Sequence, residues 1–200
     1  MSEVKDKFYE ILVPKIEVLG FEFKKSKTSF VKIENGLEYQ INFRWYGRGG
    51  TTMMDSVDIS ITDLVIQQAI KKRTKTKGIP HVTTGYGYIA PNNVKIPVMY
   101  SRAALDLANN MNFRGLSQMP QDDKYPPDRI LNSANFVEDL ILKQVIPFFD
   151  KYKNQADIYN YLVESVENEP DMTNFTADFK DIIQQYSETL GQPIPSKLLE

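Results

Sequence analysis

Apolar side chains recur along this chain at two different periods, and the change from one to the other marks out its elements. Over residues 3–19, Val4, Phe8, Ile11, Leu12 and Val18 or Leu19 return near helical spacing, with Lys and Glu between them. This predicts an amphipathic helix, with Ser2 placed to cap it and Gly20 to end it. Pro14 lies inside it and removes one backbone donor, so a kink or a break into two pieces is expected.

From Phe21 the period falls to two. "FEFKK" and "TSFVKIE" read as short strands, and Asn35-Gly36 follows, a pair in which both residues tolerate positive φ and close a hairpin. In "LEYQINFRW", Leu37, Tyr39, Ile41, Phe43 and Trp45 share one face, and Glu38, Gln40, Asn42 and Arg44 share the other. "MMDSVDISITD" alternates again, with Asp55, Val57, Ile59 and Ile61 on one side and Ser56, Asp58, Ser60 and Thr62 on the other. Together these strands predict an antiparallel meander with one apolar and one polar face, and a two-faced sheet needs helices to cover it.

Residues 63–72 turn helical ahead of "KKRTKTKG". Extended segments are expected around 79–90 and 94–100, and a short helix around 102–110. "SQMPQDDKYPPDR" holds three prolines and reads as an exposed loop. Beyond it the pattern is helical over 134–152, 155–167 and 174–190, the last close to a single apolar stripe of Phe175, Phe179, Ile182, Ile183, Tyr186 and Leu190. Pro147 should kink the first of these or mark its last turn. The tail "GQPIPSKLLE" is expected to be loosely ordered. The expected fold is α+β: an antiparallel β-sheet packed on helices, with a mostly helical C-terminal half. It is read as one domain over 1–200, sheet-rich over 1–132, helical over 133–190, with a tail over 191–200.

Composition narrows the chemistry. The chain has no cysteine, which removes disulfides, thiol nucleophiles and zinc–thiolate sites together. The N-terminus carries charge every few residues, unlike a signal peptide. No uncharged apolar run approaches the roughly 20 residues needed to cross a bilayer. A soluble, cytoplasmic protein is expected, with no membrane partner. The net charge of −2 hides an asymmetry: residues 1–100 hold 15 Lys/Arg against 10 Asp/Glu, and residues 101–200 hold 9 against 16.

Few residues suggest a site. "FRWYGRGGTT" combines Arg44, Arg48 and three glycines, yet it lies between two strands and lacks the Lys and following helix of a phosphate loop. It reads as a hairpin loop whose arginines could grip a partner's carboxylate or phosphate. Lys71, Lys72, Arg73, Lys75 and Lys77 form a basic loop that could meet nucleic acid or simply be solvated. His81 is the only histidine; it has no second His or Cys to share a metal and follows Pro80 at a strand edge, where it stands as a candidate ligand- or partner-binding residue beside a structural role. Asn42, Arg44 and Asp58 fall on one sheet face, either as a polar ligand site or as a solvated face with a cross-strand ion pair. No catalytic set, metal site or cofactor motif emerges.

Two stretches carry a resemblance. "LGFEFKKSKTSFVK" followed by "EYQINFRW" resembles the opening of a bacterial family known as domain of unknown function 4304, at Gly20, Phe21, Lys24, Lys25, Ser29, Phe30, Gln40, Ile41, Asn42 and Phe43. "VIPFFDKYKNQADIYNYL" resembles the segment that closes that family and the helix after it. The likeness touches residues 1–62 and about 136–163, and it implies an α+β fold without implying an activity.

The expected function is non-enzymatic binding by protein–protein contact, of the kind by which an immunity protein neutralises a toxin. The acidic C-terminal half would meet a basic partner. The alternatives are a small-ligand binder or enzyme using the polar sheet face, and nucleic-acid binding through residues 71–77.

Overall fold

The computed structural model describes residues 3–48, 51–74, 81–85, 119–120, 127–168 and 177–198. The elements are α1 (Glu3–Glu17), β1 (Glu22–Lys24), β2 (Ser29–Glu34), β3 (Leu37–Arg48), β4 (Thr51–Asp63), α2 (Leu64–Thr74), β5 (Val82–Gly85), β6 (Met119–Pro120), α3 (Pro127–Leu140), a π-helical stretch (Ile141–Val145), α4 (Ile146–Phe149), α5 (Gln155–Asn168) and α6 (Ala177–Leu190). The sheet order is β1-β2-β3-β4-β5, with β6 pairing antiparallel to β4. The α+β class is therefore as expected, with strands in antiparallel succession and the C-terminal half helical. The chain divides into two compact units. The first comprises Met1–Lys32, Gln40–Ile59 and Thr84–Phe148; the second comprises Ile33–Tyr39, Ser60–Thr83 and Phe149–Glu200.

In the first unit α1 buries Phe8, Tyr9, Leu12 and Ile16. Tyr9 and Ile16 replace Val18 on the expected stripe; Val18 lies past the helix end and is 81% exposed. The helix runs unbroken through Pro14, so of the kink or break expected there the break does not occur. Pro14 and Glu10, the residue whose carbonyl loses its donor, both face solvent, where water can take that carbonyl's hydrogen bond. Gly20, at φ +87°, ends the helix by donating its N–H to the Glu17 carbonyl at 2.9 Å.

Phe8, Tyr9, Phe23, Phe30, Phe43 and Trp45 meet mostly edge to face, with ring centroids 4.5–6.2 Å apart. Trp45 Nε1 donates to the Tyr9 hydroxyl at 2.7 Å, and Lys5 Nζ stands 5.5 Å from the indole centroid. Helix α3 packs on α1 and starts at Pro127, inside the stretch expected to be a loop. Proline suits the first helical position, where its missing N–H is not needed. Met119 and Pro120 of the same stretch pair with Thr52 and Thr51 of β4. Pro147 sits in α4, in the last turn of the helical run, just after the π-helical stretch.

In the second unit Asn35 (φ 52°) and Gly36 (φ 80°) close the β2–β3 hairpin as the sequence predicts. Helix α5 is capped by Asn154, whose Oδ1 accepts from Asp157 N–H at 3.0 Å. Helix α6 buries Ile182, Ile183 and Tyr186 and packs on both α2 and α5. The tail is docked up to Leu198, not loose. The Tyr159 hydroxyl donates to the Pro193 carbonyl, Lys197 Nζ donates to the Glu167 carbonyl at 2.6 Å, and Pro195 is buried. These hydrogen bonds involve backbone carbonyls distant in sequence, so no local pattern announces them.

Candidate functional site

Arg44 and Asp58 come together as their strand faces predict. Arg44 Nη2 donates to Asp58 Oδ2 at 2.9 Å, with side chains 64% and 41% exposed. Asn42 is half-buried on the same strand as Arg44. A solvated pair of this kind contributes less than about 1 kcal/mol. The guanidinium expected to grip a partner grips its own sheet. Arg48 ends β3 and β4 begins at Thr51, which leaves two residues between the strands, a hairpin spacing with no helix start to cradle an anion.

Lys71, Lys72 and Arg73 are exposed but do not form a loop; they occupy the last turn of α2. Cations there complement the helix dipole, which explains why the helix extends into the basic run. Arg73 turns onto α6, donating to Asp181 Oδ1 at 3.1 Å and standing 4.0 Å from Glu188 Oε1. Lys75 and Lys77 lie outside the described residues. Among the described residues, no group of His, Asp and Glu is arranged to hold a metal ion, and no helix is long and apolar enough to cross a membrane.

His81 is the residue whose surroundings the sequence conceals most. It is 3% exposed, at the head of β5. Its N–H donates to the Ile61 carbonyl at 2.9 Å, which ties β5 to β4. Its Nδ1 receives two contacts: Asp63 N–H at 3.2 Å and the Tyr186 hydroxyl at 2.8 Å. Asp63, 1% exposed, caps α2 through Oδ1, which accepts from Val65 N–H at 2.9 Å and Ile66 N–H at 3.0 Å. Asp63 Oδ2 and His81 Nε2 are buried without a hydrogen-bond partner among the described residues. Burial lowers the His81 pKa to about 4, against the opposing pull of the Asp63 carboxylate. Burial likewise raises the Tyr186 pKa. The sequence offers His81 both as a binding residue and in a structural role; at 3% exposed, its ring is turned to the interior.

Ser60 and Thr62, expected on the solvated side of β4, are buried as Ile61 is. A period of two reports which residues share a side of the strand, and whether that side is covered depends on packing.

The second unit also holds a cavity of about 530 Å³. Asn35 and Leu37 of the hairpin, Asp63 and Val65 at the start of α2, Lys153–Ala156 at the start of α5, and Leu190 line it. Lys153 pairs with Asp150 at 2.9 Å, and this hydrogen bond raises its pKa. No spacing in the sequence marks these residues as neighbours. Compared with known proteins, the chain matches no family model, no curated protein and no solved structure.

Proposed function

We propose that this chain is a non-enzymatic binding protein of the immunity type, which neutralises a basic protein partner by contact through the acidic surface of its second unit. One observation carries the reading. The second unit holds nine Lys/Arg against thirteen Asp/Glu, and Glu34, Asp150, Glu164, Glu167 and Glu188 are exposed on it. Opposite charge would speed encounter with a basic partner and help exclude acidic ones. The residues first considered for chemistry support the reading by what they already do: Arg44 holds Asp58, Arg73 holds Asp181, and His81 is locked in the interior. The likeness to family 4304 belongs to this proposal as an expectation about ancestry; Phe21, Phe30, Ile41 and Phe43 are buried here, so the shared positions concern packing.

The test is a pull-down with the intact tagged protein, repeated with charge reversal at Glu164, Glu167 and Glu188, which are exposed on the second unit. A stoichiometric basic partner, released by salt and weakened at least tenfold by the reversal, is the expected result. Unchanged affinity in the reversed protein would mean the acidic surface is not the contact.

A second reading, small-ligand binding, is favoured by the cavity at the start of α5. Its volume lies in the range of about 300–1,000 Å³ common for ligand sites. Its wall combines the apolar Leu37, Val65 and Leu190 with Asn35, Asp63 and Lys153. A thermal-shift screen against small polar metabolites checks it, and a hit abolished by Leu37→Trp locates it.

A further inference from the structure

A backbone N–H can only donate. The Asp63 N–H at 3.2 Å from His81 Nδ1 therefore requires Nδ1 to be an unprotonated acceptor, and the Tyr186 hydroxyl at 2.8 Å must then donate to the same atom. The imidazole proton is left on Nε2, which is buried and finds no partner among the described residues. One nitrogen thus serves three elements. It is carried at the head of β5, it accepts from the residue that caps α2, and it accepts from the side chain that seats α6. Among the described residues, the ionisable groups that face the ring are Asp63, at the end of β4, and Tyr186, on α6. The cations of α2 are exposed, and Arg73 is turned to Asp181 and Glu188.

We propose that His81 is a proton-operated latch in the second unit. A proton on Nδ1 takes the acceptor from Asp63 N–H and forces the Tyr186 hydroxyl to turn from donor to acceptor, so acid loosens the seating of α2 and α6. The Asp63 N–H then faces another donor in a buried space and is left unpaired, and the Tyr186 hydroxyl proton must find a new acceptor.

The direction with pH follows from the lowered pKa. In the unfolded chain a histidine takes its proton near pH 6.5, whereas folded His81 takes it near 4. Its contribution is complete above about pH 6.5, declines as the pH falls towards 4, and is absent below that. The device therefore works between about pH 6.5 and 4, and the upper part of that window lies above the range in which carboxylates titrate. It is independent of the binding reading above.

His81 is the only histidine, so imidazole ¹⁵N resonances of the intact protein need no assignment by mutation. The expected spectrum at pH 7 shows the neutral ring with its proton on Nε2, and a midpoint well below 6.5. A proton on Nδ1, or a midpoint near 6.5 in the folded protein, overturns the proposal. Hydrogen exchange then reads the mechanical consequence. After correction for the intrinsic rate, opening of α2 and α6 should rise by up to roughly a hundredfold between pH 6.5 and 4. His81→Asn keeps an acceptor where Nδ1 stood and does not titrate, so it should flatten that rise. An equal rise in the variant overturns the latch. If the variant does not fold, the ring titration of the unaltered chain still decides.

Discussion

In the first unit the rings of Phe8, Tyr9, Phe23, Phe30, Phe43 and Trp45 fill the space between α1 and the strands, and among the described residues Ser29 is the buried polar one there. In the second unit Ser60, Thr62, Asp63, His81 and Ser187 are all buried. The first interior is held by apolar area and ring geometry, which hardly depend on pH and tolerate changes that conserve volume. The second adds a polar network in which each group has one workable protonation state and one workable geometry. Such a network specifies its partners closely, and it fails when a single proton arrives. The contrast places sensitivity to pH in the polar unit.

The most severe way to break the contrast is Phe8→Ala. Phe8 is fully buried against Tyr9, Phe43 and Trp45, so the loss should be about 3–5 kcal/mol. Denaturant unfolding followed by Trp45 emission measures it, and a loss below about 1 kcal/mol would show that the aromatic cluster does not hold its unit.

Acid comes next. Lowering the pH from 7 to 4 should cost the second unit roughly 3 kcal/mol through His81 alone. Trp45, in the first unit, serves as the control. Its emission should change little over the range in which α2 and α6 lose exchange protection. Emission that shifts at the same midpoint would erase the distinction.

Asp63→Ala removes the acceptor for two N–H groups of α2 and should lower stability by about 1–2 kcal/mol, with Asp63→Ser restoring most of it. Thermal melts by circular dichroism read both variants. The smallest effect separates the two ion pairs. Double-mutant cycles on Arg44–Asp58 and Arg73–Asp181 should each give under about 1 kcal/mol. The second should be larger, because its side chains are 35% and 31% exposed against 64% and 41%.

Much of the architecture is legible from residue order. Leu37, Tyr39, Ile41 and Phe43 alternate and are all buried; Asn35-Gly36 turns; Ile182, Ile183 and Tyr186 mark the inner stripe of α6. The misreadings have common causes. Proline is a strong local signal that points to a kink or break at Pro14 and a loop around Pro127, yet one faces solvent within a continuous helix and the other opens a helix. Charge signals exposure and so points to a loop for the basic run, yet Lys71, Lys72 and Arg73 finish α2. Of the candidate site residues, only the Arg44–Asp58 pairing followed from face alternation.

Periodicity, turn chemistry and the absence of cysteine thus determine the fold class, the register of the first hairpin and the chemistry excluded. These are local properties, set by backbone geometry within a few residues. Tertiary structure alone decided that Asp63, His81 and Tyr186 share one nitrogen, that Arg73 meets Asp181, and that the tail docks on Tyr159 and Glu167. His81 and Tyr186 are 105 positions apart, and Arg73 and Asp181 are 108 apart. Burial and hydrogen bonding act through space, so the feature of this protein most sensitive to its surroundings is the one its residue order could not display.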